Sequence, residues 1–288
     1  MPEDCHIHIF MNGVDYRQAV RNMEEGRVEE VVRHNLETYR KAGITFLRDG
    51  GDHYGASKMA KHLATEYGLD YRTPIFAIHK KGHYGRIVGR AFENWEEYRG
   101  LVHEAQDEGA DFIKIMISGI VDFDRAALTE ESLEADEIAA MIGIAHEEGM
   151  AVMAHANGEA VLAAAKWGCD SVEHGYFMPD EAIEALVKSD TVYVPTIVTT
   201  KNLLGDQRFS EISVRKTLEI QSEIIWKCYK TGVQMAVGSD AGAYRVEHGR
   251  GALDEENALL EILTDENGDS VYEFLENGIK KIKKRFHG

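Results

Sequence analysis

Short apolar runs bounded by turn residues alternate with amphipathic stretches along the whole 288-residue chain. The apolar runs predict strands in CHIHIF (5–10), ITFLRD (44–49), TPIFAIH (73–79), DFIKIMIS (111–118), AVMAHA (151–156), DSVEHG (170–175), TVYVPTIV (191–198) and VQMAVGSD (233–240). Helical periodicity falls between them, at about 27–42, 56–68, 93–108, 130–148, 158–167, 179–188 and 211–231, with a last helix after Asp254. Gly43, Gly109, Gly149, Gly168 and Gly232 stand just past five of the helix ends, and Thr129 or Ser132 with acidic followers marks one helix start.

Strand-then-helix units in series argue for parallel pairing with right-handed crossovers, and eight such strands close naturally into a (β/α)8 TIM barrel. An open doubly wound sheet is the alternative. No GxGxxG turn follows the first strand, so nothing favours a dinucleotide site. The expectation is an α/β protein with one barrel domain over 1–288, carrying a C-terminal helical tail at about 254–288.

Composition narrows the partners. A formal net charge of −18 opposes a nucleic-acid backbone or an anionic membrane surface, and no apolar run nears the roughly 20 residues that span a bilayer. Cys5, Cys169 and Cys228 are widely spaced and form no CxxC pair, which suggests a reducing compartment, and the acidic start MPEDCHIHIF is unlike a signal peptide. A cytoplasmic protein acting on a small molecule, and assembling as a homo-oligomer, is expected.

The chemistry-bearing residues fall at the strand ends, where barrels place their sites. His6 and His8 are two apart on the first strand and so share a face. His155 ends the fifth strand, His174 the sixth and Asp240 the eighth. Each has a bland reading, as a satisfied core histidine or a helix cap. Together, four imidazoles and a carboxylate are the ligand types of a catalytic divalent-metal site, with zinc the usual choice for nitrogen-rich sets. Lys114 lies inside the apolar run FIKIMISG, where an unpaired ammonium is costly. A salt-bridged lysine and a Schiff-base lysine are both open readings; a third is a neutral amine that adds carbon dioxide and becomes a metal-bridging carbamate.

Taken in order, HIH, GADFIKIMISG, AVMAHANG, SVEHGYF and GSDAGAYRVEHG make the chain resemble the metal-dependent amidohydrolase superfamily of urease and dihydroorotase. The wording most resembles its imidazolonepropionase-like branch, which contains binuclear Xaa-Pro dipeptidases, and the likeness covers most of residues 4–253. The resemblance implies two divalent ions, zinc with manganese, iron or cobalt as alternatives. His6, His8 and Asp240 would hold one ion, His155 and His174 the other, and Lys114 carboxylated by CO2 would bridge both. It further implies hydrolysis of a C–N bond, amide or peptide-like, in a small substrate such as a dipeptide or N-acyl amino acid, by metal-activated hydroxide with Asp240 moving the proton. A mononuclear deaminase or cyclic-amide hydrolase, with Lys114 unmodified, is the alternative on the same fold. A non-catalytic metal-binding protein is the alternative of another class.

Relatives usually carry a β-sandwich built from segments before the HxH and after the barrel. Here His6 lies five residues from Met1 and 48 residues follow Asp240, so most or all of the sandwich is expected to be lacking. Among rim residues, His83, Tyr84, Tyr176 and His248 are candidate substrate contacts, with His79, Lys80, Lys81 and Arg245 nearby in sequence. Glu173 precedes His174 and, by strict alternation, points to the opposite side of the strand in a structural salt bridge.

Overall fold

The computed structural model describes residues 3–263 and 268–287. Strands β1 (Asp4–Ile7), β2 (Phe46–Asp49) and β3 (Asp70–Arg72) form a parallel sheet in that order. Five further parallel neighbours follow in the chain: β4 (Ala77–Lys80), β5 (Gly89–Phe92) and β6 (Ile113–Met116), then, after a small antiparallel hairpin of β7 (Val121–Asp122) and β8 (Ala127–Leu128), β9 (Val152–Ala156) and β10 (Ser171–His174). With β11 (Val192–Val194) they make a six-stranded sheet of order β11-β10-β9-β6-β4-β5.

The helices are α1 (Tyr16–Glu24), α2 (Val28–Ala42), α3 (Ala56–Leu63), α4 (Trp95–Asp107), α5 (Ala135–Glu147), α6 (Glu159–Lys166), α7 (Asp180–Lys188), α8 (Val198–Lys201), α9 (Glu211–Thr231), α10 (Arg250–Leu263) and α11 (Gly268–Arg285). Among the described residues, no helix is long and apolar enough to cross a membrane. Left-handed glycines end α2 and α9, at Gly43 (φ 73°) and Gly232 (φ 85°), as their positions in the sequence predict.

The expected single ladder of eight strands is instead two sheets tied together by two irregular segments. On one side, 70–80 divides into β3 and β4, because Pro74 has no N–H to donate and Ile75 adopts φ 66°. Thr73 holds the break by exchanging bonds with Asp111: its N–H donates to the carboxylate at 2.9 Å, and its carbonyl accepts from Asp111 N–H at 2.9 Å. On the other side, the expected strand 233–240 makes only an isolated bridge, at Met235, with another at Ala241 just beyond it. It still bonds both neighbours: Cys5 N–H donates to Val237 at 2.9 Å, Asp240 N–H to His6 at 2.7 Å and Ala236 N–H to Tyr193 at 3.0 Å.

Other boundaries moved for local reasons. Strand 191–198 stops at Val194, since Pro195 follows and Thr196 turns to φ 52°. The helix expected from 130 begins at Ala135: the β7–β8 hairpin uses the preceding residues, and Thr129 accepts from Ile120 N–H instead of capping a helix. The last expected helix is two, α10 and α11. The three cysteines are buried and free.

Side chains of alternating strand positions, such as Leu47, Ile115, Ala154 and Val172, are buried beneath the helices. The tail helix α11 packs against the barrel through Val271, Leu275, Ile279, Ile282 and Phe286, a spacing of one helical stripe. Phe286 meets Phe112 edge-on at 5.1 Å and lies 4.5 Å under the guanidinium of Arg48. Gly278 brings α11 directly onto the 233–240 backbone, where a Cβ would overlap the carbonyl of Met235.

Two glycine-to-alanine changes therefore have opposite signs. Gly100 in α4 faces open space, so Gly100→Ala is expected to raise stability by about 0.5–1 kcal/mol through helix propensity. Gly278→Ala carries the same propensity gain but forces α11 off the barrel, and a net loss of about 1–3 kcal/mol is expected in urea unfolding.

Candidate metal centre and active site

The centre is built on a buried ion pair. Arg48, wholly buried on β2, donates to the Cys5 carbonyl (2.7 Å), the Ser171 hydroxyl (2.7 Å) and the Glu173 carboxylate (2.8 Å). Ser171 also donates to Glu173 at 2.6 Å. The other oxygen of Glu173 accepts from Nδ1–H of His6 at 2.8 Å. Because Glu173 holds that proton on Nδ1, the Nε2 lone pair of His6 is free to face the cavity. Glu173 is in the salt bridge expected of it, but it points into the barrel rather than away from the site. His174 breaks the alternation with φ 72°, so adjacent residues both turn inward.

Asp240 adopts φ 60° at the end of the eighth segment, also a costly conformation for a residue with a side chain. Its carboxylate lies 3.4 Å from His8 Nε2 and 3.6 Å from His6 Nε2. The loop is held there by Asp4, which accepts from Ser239 N–H at 2.8 Å and from the Ser239 hydroxyl at 2.6 Å. Nδ1 of His174 bonds the Thr196 hydroxyl at 2.8 Å. Nε2–H of His155 donates to the Gly119 carbonyl at 3.2 Å, leaving its Nδ1 as the lone-pair atom. The rings of His155 and His174 are 4.6 Å apart, and those of His6 and His174 are 5.0 Å apart.

Lys114 is buried on β6 and lines the same cavity. Burial lowers its pKa to about 8, with Glu173 and Asp240 opposing the shift, so the amine loses its proton far more readily than in water. Burial pushes Asp240 up to about 7, with Lys114 opposing, and pulls His8 and His155 down to about 3. His6 and His174 fall well below the usual imidazole range for the same reason. Neutral imidazoles and a neutral amine are electron-pair donors.

The donor set fits a divalent cation. One ligand atom each from His6, His174 and Asp240 lies within 4.8 Å of the others, and His8 approaches Asp240 closely. Among the described residues, His6 Nε2 and Lys114 Nζ are buried without a hydrogen bond. Each such orphan costs about 1–3 kcal/mol unless a bound group satisfies it.

A family model described as the amidohydrolase family matches residues 4–278. The chain belongs to the amidohydrolase family. It is 29% identical over 273 residues to an uncharacterized protein of Mycobacterium tuberculosis (strain ATCC 25618 / H37Rv), covering 90% of this chain and 66% of that one. It is 28% identical over 151 residues to ochratoxinase of Aspergillus niger, covering 50% of this chain and 32% of that one. Thus the chain spans less than two thirds of the length of these relatives. Among solved structures, a Xaa-Pro dipeptidase with bound methionine superposes with a TM-score of 0.75 at 22% identity, over 98% of this chain and 75% of that one. Ochratoxinase of A. niger superposes with a TM-score of 0.76 at 20% identity, over 98% and 71%. These likenesses establish a TIM-barrel-type α/β fold. Amidohydrolases generally use divalent metals, and the His6, His174 and Asp240 group is a candidate site for one.

The site of this amidohydrolase opens into a cavity of about 220 Å³ that all six predicted ligand residues line. Of the predicted substrate contacts, Tyr84 and Tyr176 line it too, whereas His83 and His248 do not. His83 lies at the rim, 3.8 Å from Glu130. His248 is spent on structure: one ring nitrogen bonds the Tyr39 hydroxyl at 3.0 Å and the other the Met11 carbonyl at 2.8 Å. Sequence reasoning missed Asn157, whose amide donates to Gly119 (2.9 Å) and accepts from Tyr176 N–H (2.9 Å), pinning the loops after β6 and β10 together. Its place two residues after His155 in AHANG was the available signal. Glu255 was also missed. From α10 it accepts from the N–H groups of Ile197 (3.1 Å) and Val198 (2.9 Å), holding the turn that carries Thr196.

Arg48→Ala is expected to destabilise the protein by about 3–5 kcal/mol, because it leaves the Glu173 carboxylate buried without its cation. Neutralising both partners, Arg48→Met with Glu173→Gln, should recover most of that loss in the same urea titration.

Proposed function

We propose that the chain is a metal-dependent hydrolase of a C–N bond, amide or peptide-like, in a small molecule. The observation that carries the reading is the buried convergence of His6, His174 and Asp240 beside His8, His155 and the unpartnered amine of Lys114. Family membership supports it, as do neighbours named as a Xaa-Pro dipeptidase and an ochratoxinase.

In this reading His6, His8 and Asp240 would hold one divalent ion, and His155 and His174 a second. Lys114, once deprotonated, would add CO2 with loss of a proton to solvent, and the resulting carbamate would supply anionic oxygen donors to the ions. The nitrogen-rich set favours zinc. Bound ions supply Lewis-acid polarisation of the substrate carbonyl and lower the pKa of water. Asp240, beside the attacking water, would accept its proton at a carboxylate oxygen and return it to the leaving nitrogen. Tyr84, which lines the cavity with its ring 5.2 Å from that of His155, would bond the carbonyl oxygen through its hydroxyl as charge develops. Glu173 and Thr196 hold the imidazoles of His6 and His174 in the tautomers that ligation requires.

A single-ion centre is the second reading, favoured by the compact group taking His6 and Asp240 from one proposed set and His174 from the other. Metal analysis separates the two. We expect close to two equivalents in the native protein, with Lys114→Ala losing one; one equivalent, unchanged by that substitution, would establish the single-ion centre. Asp240→Asn should abolish hydrolysis, and Tyr84→Phe should lower kcat by roughly a hundredfold with little change in KM.

A further inference from the structure

Above the metal-ligand residues, the cavity wall is aromatic. Phe123, Phe209, Tyr176 and Tyr244 all line it, and their rings form a continuous arch: Tyr176 to Phe123 at 6.4 Å, Phe123 to Phe209 at 5.8 Å and Phe209 to Tyr244 at 6.2 Å. The arch joins loops from separate parts of the chain, and polar bonds brace it from behind. Phe123 sits in the turn of the β7–β8 hairpin, whose Asp124 accepts from Ser210 N–H (2.9 Å) and from the Ser213 hydroxyl (2.8 Å), next to Phe209. Tyr244 donates to Asp206 at 2.8 Å, and Tyr176 bonds the hydroxyls of Thr199 and Thr200 at 2.6 and 2.7 Å. Such bracing preorganises a surface for a flat apolar group.

Among the described residues that line this cavity, Lys114 is the one lysine or arginine, and it lies on the floor with the metal ligands. Arginines and lysines beside the lining residues do not themselves line the cavity. Arg245 pairs with Asp206 at 2.9 Å, Lys80 pairs with Glu137, and exposed Arg208 lies over the Tyr244 ring, 4.1 Å from its centroid. A dipeptide or N-acyl amino acid carries a carboxylate close to its scissile amide. Against the aromatic arch that anion would lose its hydration without gaining a cationic partner among the lining residues above Lys114.

We propose that this site selects neutral amides bearing an aromatic ring, and disfavours substrates with a carboxylate on the group that the arch receives. This rests on the hydrolase reading above and departs from the carboxylate-bearing substrates expected from the sequence. The test compares the 4-nitroanilides of 4-carbamoylphenylacetic and 4-carboxyphenylacetic acid on the metal-loaded protein; they share shape and leaving group and differ in one charge. The neutral compound should have kcat/KM at least about tenfold higher. Phe123→Ala should raise its KM about five- to tenfold, and Phe209→Lys should shift the preference toward the anion. Equal rates, or faster turnover of the carboxylate, would overturn the proposal while leaving the hydrolase reading intact. If neither anilide is cleaved, calorimetric Kd values decide: tighter binding of the neutral compound, weakened by Phe123→Ala, upholds the selectivity even as the hydrolase reading loses support, and equal or reversed affinities overturn it.

Discussion

The buried pair of Arg48 and Glu173 is the constraint around which the rest of the barrel is arranged. Two full charges with no solvent contact persist because each guanidinium nitrogen of Arg48 and each carboxylate oxygen of Glu173 is hydrogen-bonded. Arg48 spends its donors on β1, on Ser171 and on Glu173, and so stitches three strands together across the interior. Glu173 spends its second oxygen on His6. One carboxylate thus serves the fold from below and sets the proton on an imidazole above. The apolar floor formed by Phe286 and Phe112 keeps water from the pair, so a residue near the end of the chain affects a histidine near its start.

The upper half depends on backbone that departs from regular strand. His174, Thr196 and Asp240 all adopt positive φ where strands give way to loops. Each conformation costs about 1–3 kcal/mol and is held by specific bonds: Thr196 to His174, Asp4 to Ser239 beside Asp240, and Glu255 to the turn after Thr196. The irregularity turns side chains inward that a flat pleat would direct at the helices. It also breaks the ladder at 233–240, where close approach to β1 takes the place of regular pairing.

Much of this was legible in the chain. Apolar runs of strand length separated by helical periodicity are dictated by burial on both faces of a parallel sheet, and the observed elements follow them within a few residues over most of the chain. The ligand-type residues were legible because a strand's period of two and its C-terminal end are both one-dimensional properties: His6, His8, Lys114, His155, His174 and Asp240 all line one cavity. The misreadings have physical causes. His248 resembles a rim contact in the sequence, but its ring nitrogens bond Tyr39 and Met11, partners 209 and 237 residues away. Alternation directs Glu173 outward, but it assumes a pleat that His174 does not keep.

By itself, the sequence determined the parallel α/β architecture, the family and the kinds of donor atom at the strand ends, because these follow from periodicity, spacing and side-chain chemistry. Tertiary structure alone decided which imidazole nitrogen faces the cavity, how Asp240 meets His6 and His8, and that aromatic rings from four separate loops line one wall of the site. Those outcomes depend on contacts between residues far apart in the chain and on a few left-handed backbone angles, and neither leaves a periodic mark in the order of residues.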